Sequence, residues 1–149
     1  MIIIGIDRNQ ESLKFAFDHG LIDEGGALLN AQRADVDMVI IAVPLIALTE
    51  ILATFASLPV QKGILFTDVG STKRKVIDIF RQYLPKHFPY FVAAHPIAGS
   101  EESNIQHAQA TLFRQKKVVF CPHEQQEPEA WDRIKHFWTE VGLQVVIFE

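Results

Sequence analysis

The sequence predicts an α/β domain built on a doubly wound, mainly parallel sheet. Short apolar runs rich in β-branched residues alternate along the chain with segments in which apolar residues recur at helical spacing. The length of 149 residues suits one domain with one hydrophobic core. Hydrophobic residues make up 48% of the chain and charged residues 21%, which is typical of a globular protein rather than a disordered or fibrous one.

The first half of the chain contains three predicted strands and two predicted helices. The opening apolar run ends in Asp7 and is typical of a strand buried on both faces. Asn9 can cap the helix that follows, and Gly20 ends it. A weaker pattern over 21–34 predicts a loop at Gly25-Gly26. Pro44 is predicted to be the first residue of the second helix. The three strands are predicted over residues 1–6, 36–43 and 64–67, and the second helix continues to about Leu58.

The second half continues the alternation of helix and strand. A helix carrying apolar residues from Val76 to Leu84 is stopped by Pro85. Another helix begins at Pro128 and ends at Gly142. The remaining strands are predicted over residues 90–94, 118–121 and 144–148.

Charge and composition narrow the class of function. The net charge of −4 offers no electrostatic case for nucleic-acid binding. The basic runs at 73–75 and 116–117 are interpreted as solvated helix and turn positions. The single cysteine, Cys121, excludes an intrachain disulfide and is predicted to be a buried thiol at a strand end. The longest apolar run, 38–48, is interrupted by Pro44 and falls short of the roughly 20 residues that cross a bilayer. We therefore expect a cytoplasmic protein that binds neither nucleic acid nor a membrane.

Residues with chemical potential follow several of the predicted strands. The carboxyl ends of parallel strands meet at one edge of a sheet, where α/β proteins bind their ligands. Asp7 can accept hydrogen bonds from the ribose hydroxyls of a dinucleotide, or it can serve as an acid at a helix N-terminus. Gly70 permits a close backbone approach, and the Ser71 hydroxyl can cap a helix or bind a ligand. The strand-end residues are Asp7, Val43, Pro44, the run from Asp68 to Ser71, and His95.

His95 is the candidate for proton transfer. Pro96 restricts it to extended geometry, so we expect it at the carboxyl end of a strand. An imidazole changes charge near neutral pH, which suits a general base. The alternative is that His95 only caps the strand while Gly99 makes a turn. The sequence shows no metal-ligand spacing around the other histidines, so no metal site is predicted. No glycine-flanked nucleophile accompanies Ser71, which speaks against a hydrolase.

Four sequence blocks occur in a characteristic order and spacing. They are Ile4-Gly5-Ile6-Asp7-Arg8-Asn9, Ala34-Asp35 with Val39-Ile40-Ile41-Ala42-Val43-Pro44, Thr67-Asp68-Val69-Gly70-Ser71-Thr72-Lys73, and His95-Pro96-Ile97-Ala98-Gly99-Ser100-Glu101. Over nearly the whole chain they resemble the prephenate dehydrogenases, a family that includes the arogenate and cyclohexadienyl dehydrogenases of tyrosine biosynthesis. The last two blocks are specific, whereas the Val-Pro strand end is shared with many β-hydroxyacid-type dehydrogenases.

The resemblance implies the oxidative decarboxylation of prephenate to 4-hydroxyphenylpyruvate, with hydride transfer to a nicotinamide cofactor. His95 matches the histidine that removes the proton of the substrate's ring hydroxyl, and Ser71 matches the serine that orients it. Gly99, Ser100 and Glu101 match the substrate pocket.

The resemblance also implies which residues contact the cofactor. Asp7 matches the acid on the adenosine ribose, which favours NAD because a carboxylate there repels a 2′-phosphate. Arg8 beside it keeps NADP possible. The remaining implied cofactor-binding residues are Val43, Pro44, Asp68 and Gly70.

The resemblance implies an NAD(P)-binding Rossmann-like domain over residues 1–149 that lacks the family's first β-α unit and its helical dimerisation domain. No Gly-x-Gly-x-x-Gly motif occurs in the sequence, and Met1 aligns with the family's second strand. We expect two strands to lack a shared neighbour, which favours a homo-oligomer through unpaired strand edges. We also expect weak cofactor binding and little turnover. The alternatives are an arogenate or other β-hydroxyacid-type dehydrogenase, and a non-catalytic interaction or regulatory fragment.

Overall fold

The computed structural model describes residues 1–26, 36–99 and 105–148. Within these ranges, strands alternate with helices as the sequence predicts. The strands are β1 (Ile4–Ile6), β2 (Glu24–Gly26), β3 (Met38–Ile41), β4 (Leu65–Asp68), β5 (Phe91–Ile97), β6 (Lys116–Cys121) and β7 (Leu143–Ile147). The helices are α1 (Gln10–Asp18), α2 (Leu45–Ser57), α3 (Lys73–Tyr83) and α4 (Pro128–Glu140). None of the helices in these ranges has the length and apolar character needed to span a membrane.

The strands form two sheets. Five of them lie in the order β3-β4-β5-β6-β7, and every pair except β5 with β6 is parallel. β1 and β2 form a separate parallel pair. The mainly parallel α/β prediction is confirmed, while the division into two sheets leaves β1 and β3 each without a neighbour on one side among the described residues.

The five-stranded sheet is covered on both faces. Alternate residues of β4 and β5 point to opposite sides of the sheet, because side chains alternate along a strand. Phe66 packs with the buried faces of α2 and α3, and the adjacent Leu65 packs with α4. This arrangement is the doubly wound one that the sequence predicts.

The face covered by α2 and α3 has an aromatic centre. Phe66 is fully buried and meets Phe55 and Phe80 edge-on, with ring centroids 5.9 Å and 5.2 Å apart. Phe80 stacks on Phe91 at 4.2 Å. Such pairs add specific geometry to the area they bury. The aromatic centre fixes how α2 and α3 lie on the sheet, and with them the edge where both helices begin.

Two predictions about the first β-α unit are wrong. β1 is not buried on both faces: Ile6 is 40% exposed, because among the described residues β1 pairs only with β2. Gly25 and Gly26 lie in β2 rather than in a loop. Pairing with β1 supplies the hydrogen bonds that their own weak strand propensity lacks. The rest of the expected loop, from residue 27 to 34, lies outside the described residues.

The sequence predictions for the starts of α1 and α2 and for Cys121 have different outcomes. The Asn9 side chain accepts hydrogen bonds from the N–H groups of Glu11 and Ser12 at 3.0 Å and 3.2 Å, which confirms it as the cap of α1. Pro44 is the N-cap of α2 rather than its first residue. Cys121 ends β6 as expected, but its thiol is only half-buried.

Candidate active site

Two strand ends form the walls of a cleft of about 210 Å³ at the carboxyl edge of the sheet. β3 leads into Val43 and Pro44, and β4 leads into Gly70 and Ser71 after its last residue, Asp68. The structure therefore brings these five predicted residues together. The cleft is lined by Ile41, Val43, Pro44, Leu45, Leu48, Asp68, Gly70, Ser71, Thr72 and Val76.

The N-termini of α2 and α3 lie at this cleft. Neither helix has a side-chain capping bond, whereas α1 is capped by Asn9. Backbone N–H groups in the first turn of an α-helix have no partner within the helix, and the helix dipole favours negative charge there. The cleft therefore offers polar donors beside an apolar wall, and this combination suits a ligand that has both anionic and flat apolar parts.

Gly70 is required by its immediate surroundings. Its N–H donates a hydrogen bond to Asp68 Oδ2 at 3.0 Å, and a Cβ at this position would stand only 3.2 Å from the same oxygen. A side chain here would press on the Asp68 carboxylate. The close approach expected from the sequence is thus one between two parts of the same turn.

Ser71 does not cap α3. The N-cap is Thr72, and Ser71 lies one residue earlier, where its side chain is exposed at the cleft. Of the two roles considered from the sequence, helix capping is therefore excluded by the geometry. The hydroxyl remains in a position to contact a ligand.

His95 lies beside the turn that follows β4. Its Nδ1 is 3.4 Å from the carbonyl oxygen of Val69, which stands between the cleft residues Asp68 and Gly70. A carbonyl only accepts, so Nδ1 carries the hydrogen in this contact and Nε2 carries the lone pair of the neutral ring. The half-buried His95 is not itself among the residues that line the cleft, and its ring meets the wall of the cleft through this contact with Val69.

The prediction that this strand ends at Ala94, immediately before His95, is wrong by three residues. β5 continues to Ile97, because β6 pairs with it in antiparallel register from Ala93 opposite Cys121 to Ile97 opposite Lys117. His95 is therefore held within a strand that has a partner. A purely capping role for His95 is excluded, since the strand does not stop there.

The acidic residue at the end of β1 lies apart from this cleft. Asp7 is exposed, and its Oδ1 accepts a hydrogen bond from the N–H of Asn9 at 2.8 Å. Arg8 is also exposed. Both follow the two-stranded sheet, so the structure does not place them among the residues that line the cleft.

Part of the predicted substrate pocket falls where no geometry can be given. Gly99 is exposed and has open space around its α-carbon. Ser100 and Glu101 lie outside the described residues, as does the pair Ala34-Asp35 of the second sequence block.

A buried ion pair beneath the cleft was missed by sequence reasoning. Lys73 was interpreted as a solvated helix position, yet its side chain is only 11% exposed and that of Asp68 only 3%. Lys73 Nζ lies 2.5 Å from Asp68 Oδ2. Burial raises the pKa of the Asp68 carboxyl against the opposing pull of Lys73, and burial also lowers the pKa of Lys73. The signal that could have revealed the pair was an acid and a lysine on either side of one glycine-containing turn.

Two other histidines have partners that the sequence did not reveal. His123 Nε2 lies 2.9 Å from the carbonyl oxygen of Phe91, and its ring stacks on Phe88. His19 Nδ1 lies 2.8 Å from the carbonyl oxygen of Phe15. Both are structural contacts. Among the residues that the structure describes, no group of three histidine, cysteine or acidic side chains is arranged to hold a metal ion.

Comparison with known proteins agrees with this geometry. The family described as "Prephenate dehydrogenase, nucleotide-binding domain" matches residues 1–147. A prephenate dehydrogenase of Bacillus subtilis is 34% identical over 134 residues, which cover 90% of this chain and 36% of that protein. A cyclohexadienyl dehydrogenase of Zymomonas mobilis is 31% identical over 111 residues, which cover 74% of this chain and 37% of that protein.

A solved structure supports the same family. The Aquifex aeolicus prephenate dehydrogenase, in complex with hydroxyphenyl propionate and NAD⁺, superposes with a TM-score of 0.89 at 29% identity. The match covers 98% of this chain and 50% of that one. The chain thus spans about a third to a half of the length of these relatives. The family match and these identities show that the chain belongs to the prephenate dehydrogenase family, and the part of the family that it matches is the nucleotide-binding domain.

Proposed function

We propose that this chain is the cofactor-binding part of an NAD-dependent dehydrogenase that oxidatively decarboxylates prephenate to 4-hydroxyphenylpyruvate in tyrosine biosynthesis. The observation that carries the proposal is the position of His95, whose Nδ1 lies against Val69 in the turn that forms one wall of the cleft. That contact leaves Nε2 as the basic atom of the neutral ring. Membership of the family and the NAD⁺ bound by the Aquifex aeolicus relative support the choice of reaction.

Two groups of residues support the binding of a dinucleotide, one at the cleft and one after β1. The apolar wall from Ile41 to Leu48 and the uncapped N-termini of α2 and α3 suit the nicotinamide half. Asp7 and Arg8 follow β1 and would contact the adenosine ribose. Val43, Pro44 and Gly70 line the same cleft and would contribute its backbone surface. Asp68, whose carboxylate is occupied by groups of the chain itself, acts by holding the Gly70 turn in place.

His95 and Ser71 supply the proton chemistry. His95 Nε2 accepts the proton of the substrate's ring hydroxyl, and the Ser71 hydroxyl at the cleft orients the histidine and the substrate. A nicotinamide cofactor held at this cleft would supply the acceptor for the hydride that leaves the carbon bearing this hydroxyl. Loss of carbon dioxide leaves the electrons of the broken carbon–carbon bond in the ring. The ring thereby becomes aromatic, and this gain in stability drives the reaction. Gly99, Ser100 and Glu101 would contact the substrate.

NAD is expected to bind this chain about tenfold more tightly than NADP, because the Asp7 carboxylate repels a 2′-phosphate; a tenfold ratio corresponds to about 1.4 kcal/mol. Isothermal titration calorimetry of the purified chain with each nucleotide measures the ratio. The Asp7→Asn variant is expected to bring the two affinities closer together.

The Arg8→Gln variant is the matched control for this titration, since it removes the neighbouring charge and should weaken NADP alone. Absence of saturable binding of either nucleotide at millimolar concentration would contradict the proposed function and favour a non-catalytic role. Turnover with arogenate in place of prephenate would keep the mechanism and change the substrate.

We also propose that copies of this chain associate through the open edges of β1 and β3. The carbonyl oxygens of Asp37 and Ile41 accept hydrogen bonds from the N–H groups of Leu65 in β4 and Val69 directly after it. By alternation, the backbone groups of Ile40 face away from β4. The Ile40 side chain is 42% exposed beside this edge of β3, which has no partner strand among the residues that the structure describes. An edge of this kind pairs readily with another strand.

Sedimentation equilibrium of the chain is expected to show reversible, concentration-dependent association, and Ile40→Lys is expected to abolish it. A charged side chain at a strand edge opposes pairing with another strand. Ile46→Lys is the control, because Ile46 is 92% exposed on α2 and away from the strand edges. If both variants self-associate as strongly as the unmodified chain, the β3 edge is excluded as the contact.

A further inference from the structure

We propose that Asp68 and Lys73 are positioning residues for His95: together they bind both backbone polar groups of Ala94, the residue that immediately precedes the histidine. The proposal rests on the proposed role of His95 as proton acceptor. It assigns to this buried pair a function separate from stabilising the fold.

Two side chains, rather than a neighbouring strand, bind the main chain of Ala94. The parallel register of β4 and β5 runs through Phe66 opposite Phe91 and Thr67 opposite Val92. Ala94 lies two residues beyond Val92, and its backbone groups therefore face the same side of β5 as those of Val92. Its N–H donates to Asp68 Oδ1 at 3.1 Å, and its carbonyl oxygen accepts from Lys73 Nζ at 2.6 Å. The Asp68–Lys73 pair therefore replaces the next rung of the sheet.

Asp68 and Lys73 also bind each other. Asp68 Oδ2 accepts from Lys73 Nζ at 2.5 Å and from the N–H of Gly70 at 3.0 Å. The two residues thus join the end of β4, the start of α3 and the middle of β5 in one hydrogen-bonded unit. A shift of any of these elements changes the geometry at Ala94.

Stability alone is a poor explanation for this arrangement. Two charges withdrawn from water lose hydration that their mutual attraction recovers only in part, and apolar residues of similar size often do as well. Burial displaces the pKa of Asp68 upward and that of Lys73 downward, as this loss of hydration requires. Buried ionic groups do best at fixing one arrangement among several. The arrangement fixed here is the path of the chain into His95.

The consequence for the imidazole follows from the planarity of the peptide bond. The Ala94 carbonyl and the His95 nitrogen belong to the same planar unit, so holding the carbonyl fixes the plane that leads into His95. The ring in turn contacts Val69, which is part of the turn that Asp68 anchors. At 3.4 Å the distance from Nδ1 to the Val69 oxygen is near the outer limit for a hydrogen bond. A backbone shift of a few tenths of an ångström at Ala94 is therefore enough to release the ring.

Nuclear magnetic resonance of the whole chain tests the proposal without requiring turnover. In the unmodified chain, the ¹⁵N signals of the His95 ring are expected to show the tautomer with hydrogen on Nδ1. In Lys73→Met and in Asp68→Asn, the ring is expected to populate both tautomers, and the Ala94 amide is expected to exchange with solvent about tenfold faster because a charge-assisted hydrogen bond is weakened. Asp68→Asn keeps an oxygen for the Ala94 N–H and provides a second route if Lys73→Met does not fold.

Thr67→Val is the matched control. The Thr67 hydroxyl donates to the carbonyl oxygen of Val92 at 2.8 Å, so this variant also removes a buried bond from a side chain to the backbone of β5. It is expected to lower the melting temperature while leaving the His95 ring signals unchanged. The positioning role is overturned if Thr67→Val changes the ¹⁵N signals of the His95 ring as much as Lys73→Met does. It is also overturned if neither Lys73→Met nor Asp68→Asn changes those signals.

Turnover measurements separate this proposal from the proposed function. With prephenate and NAD, Lys73→Met is expected to lower kcat by about tenfold to a hundredfold with KM nearly unchanged, as misplacement of a catalytic group does. If the unmodified chain neither binds NAD nor turns over, the dehydrogenase function is refuted. If the variants still show the expected tautomer change, the positioning of His95 is retained.

Discussion

Replacing His95 with asparagine is expected to lower kcat by about 10²–10⁴-fold, because the amide cannot accept the proton of the ring hydroxyl at neutral pH. Asparagine is close in size and can still donate to the Val69 carbonyl, so the fold and the affinity for NAD should change little. NADH absorbance at high protein concentration follows the reaction even when turnover is slow.

His136→Asn is the matched control for this substitution. His136 is exposed on α4, so the same chemical change there should leave kcat unchanged. A His95→Asn variant as active as this control would contradict the role of His95 as proton acceptor. Absence of turnover in the unmodified chain, despite NAD binding, would contradict the proposed reaction instead.

Replacing Phe66 with alanine is expected to lower the free energy of unfolding by about 3–5 kcal/mol. Phe66 is fully buried between α2, α3 and the sheet, where it meets Phe55 and Phe80 edge-on. The loss combines the transfer of the ring out of water with the cavity it leaves, and it is a large part of the 5–15 kcal/mol typical of a domain. Equilibrium unfolding in urea, followed by circular dichroism, measures it.

Phe17→Ala is the comparison for the core substitution. Phe17 is 58% exposed on α1, so its truncation is expected to change the free energy of unfolding by no more than about 0.5 kcal/mol. Similar losses in both variants would show that the aromatic centre is not where the stability of the five-stranded sheet resides.

The sequence predicts the five-stranded sheet well because its strands carry their own signals. β4 and β6 contain aromatic and β-branched residues, namely Phe66 and Thr67 in β4 and the run from Val118 to Phe120 in β6, and helices such as α3 carry apolar residues at helical spacing. β2 was missed because Glu24, Gly25 and Gly26 have low strand propensity, and only pairing with β1 makes them a strand. Local sequence holds no information about a partner that lies twenty residues away.

The candidate site was predicted in part for the same reason. Strand-end positions indicated Gly70, Ser71 and His95, since a parallel sheet brings such ends to one edge. The burial of Lys73 could not be inferred from its neighbours Arg74 and Lys75, which are exposed. Its burial depends on the carboxylate of Asp68 across the turn, and on the absence of a further strand pair beside Ala94.

Because the strands divide into two sheets, we expect the described part of the chain to open in two cooperative units of unequal stability. The buried residues of α1, Leu13 and Ala16, lie in neither of the two hydrophobic clusters that enclose the five-stranded sheet. Local opening of β1, α1 and β2 therefore costs less free energy than unfolding the larger sheet. A nucleotide that contacts Asp7 and the cleft together would link the two units, and part of its binding energy would be spent on holding the weaker one closed.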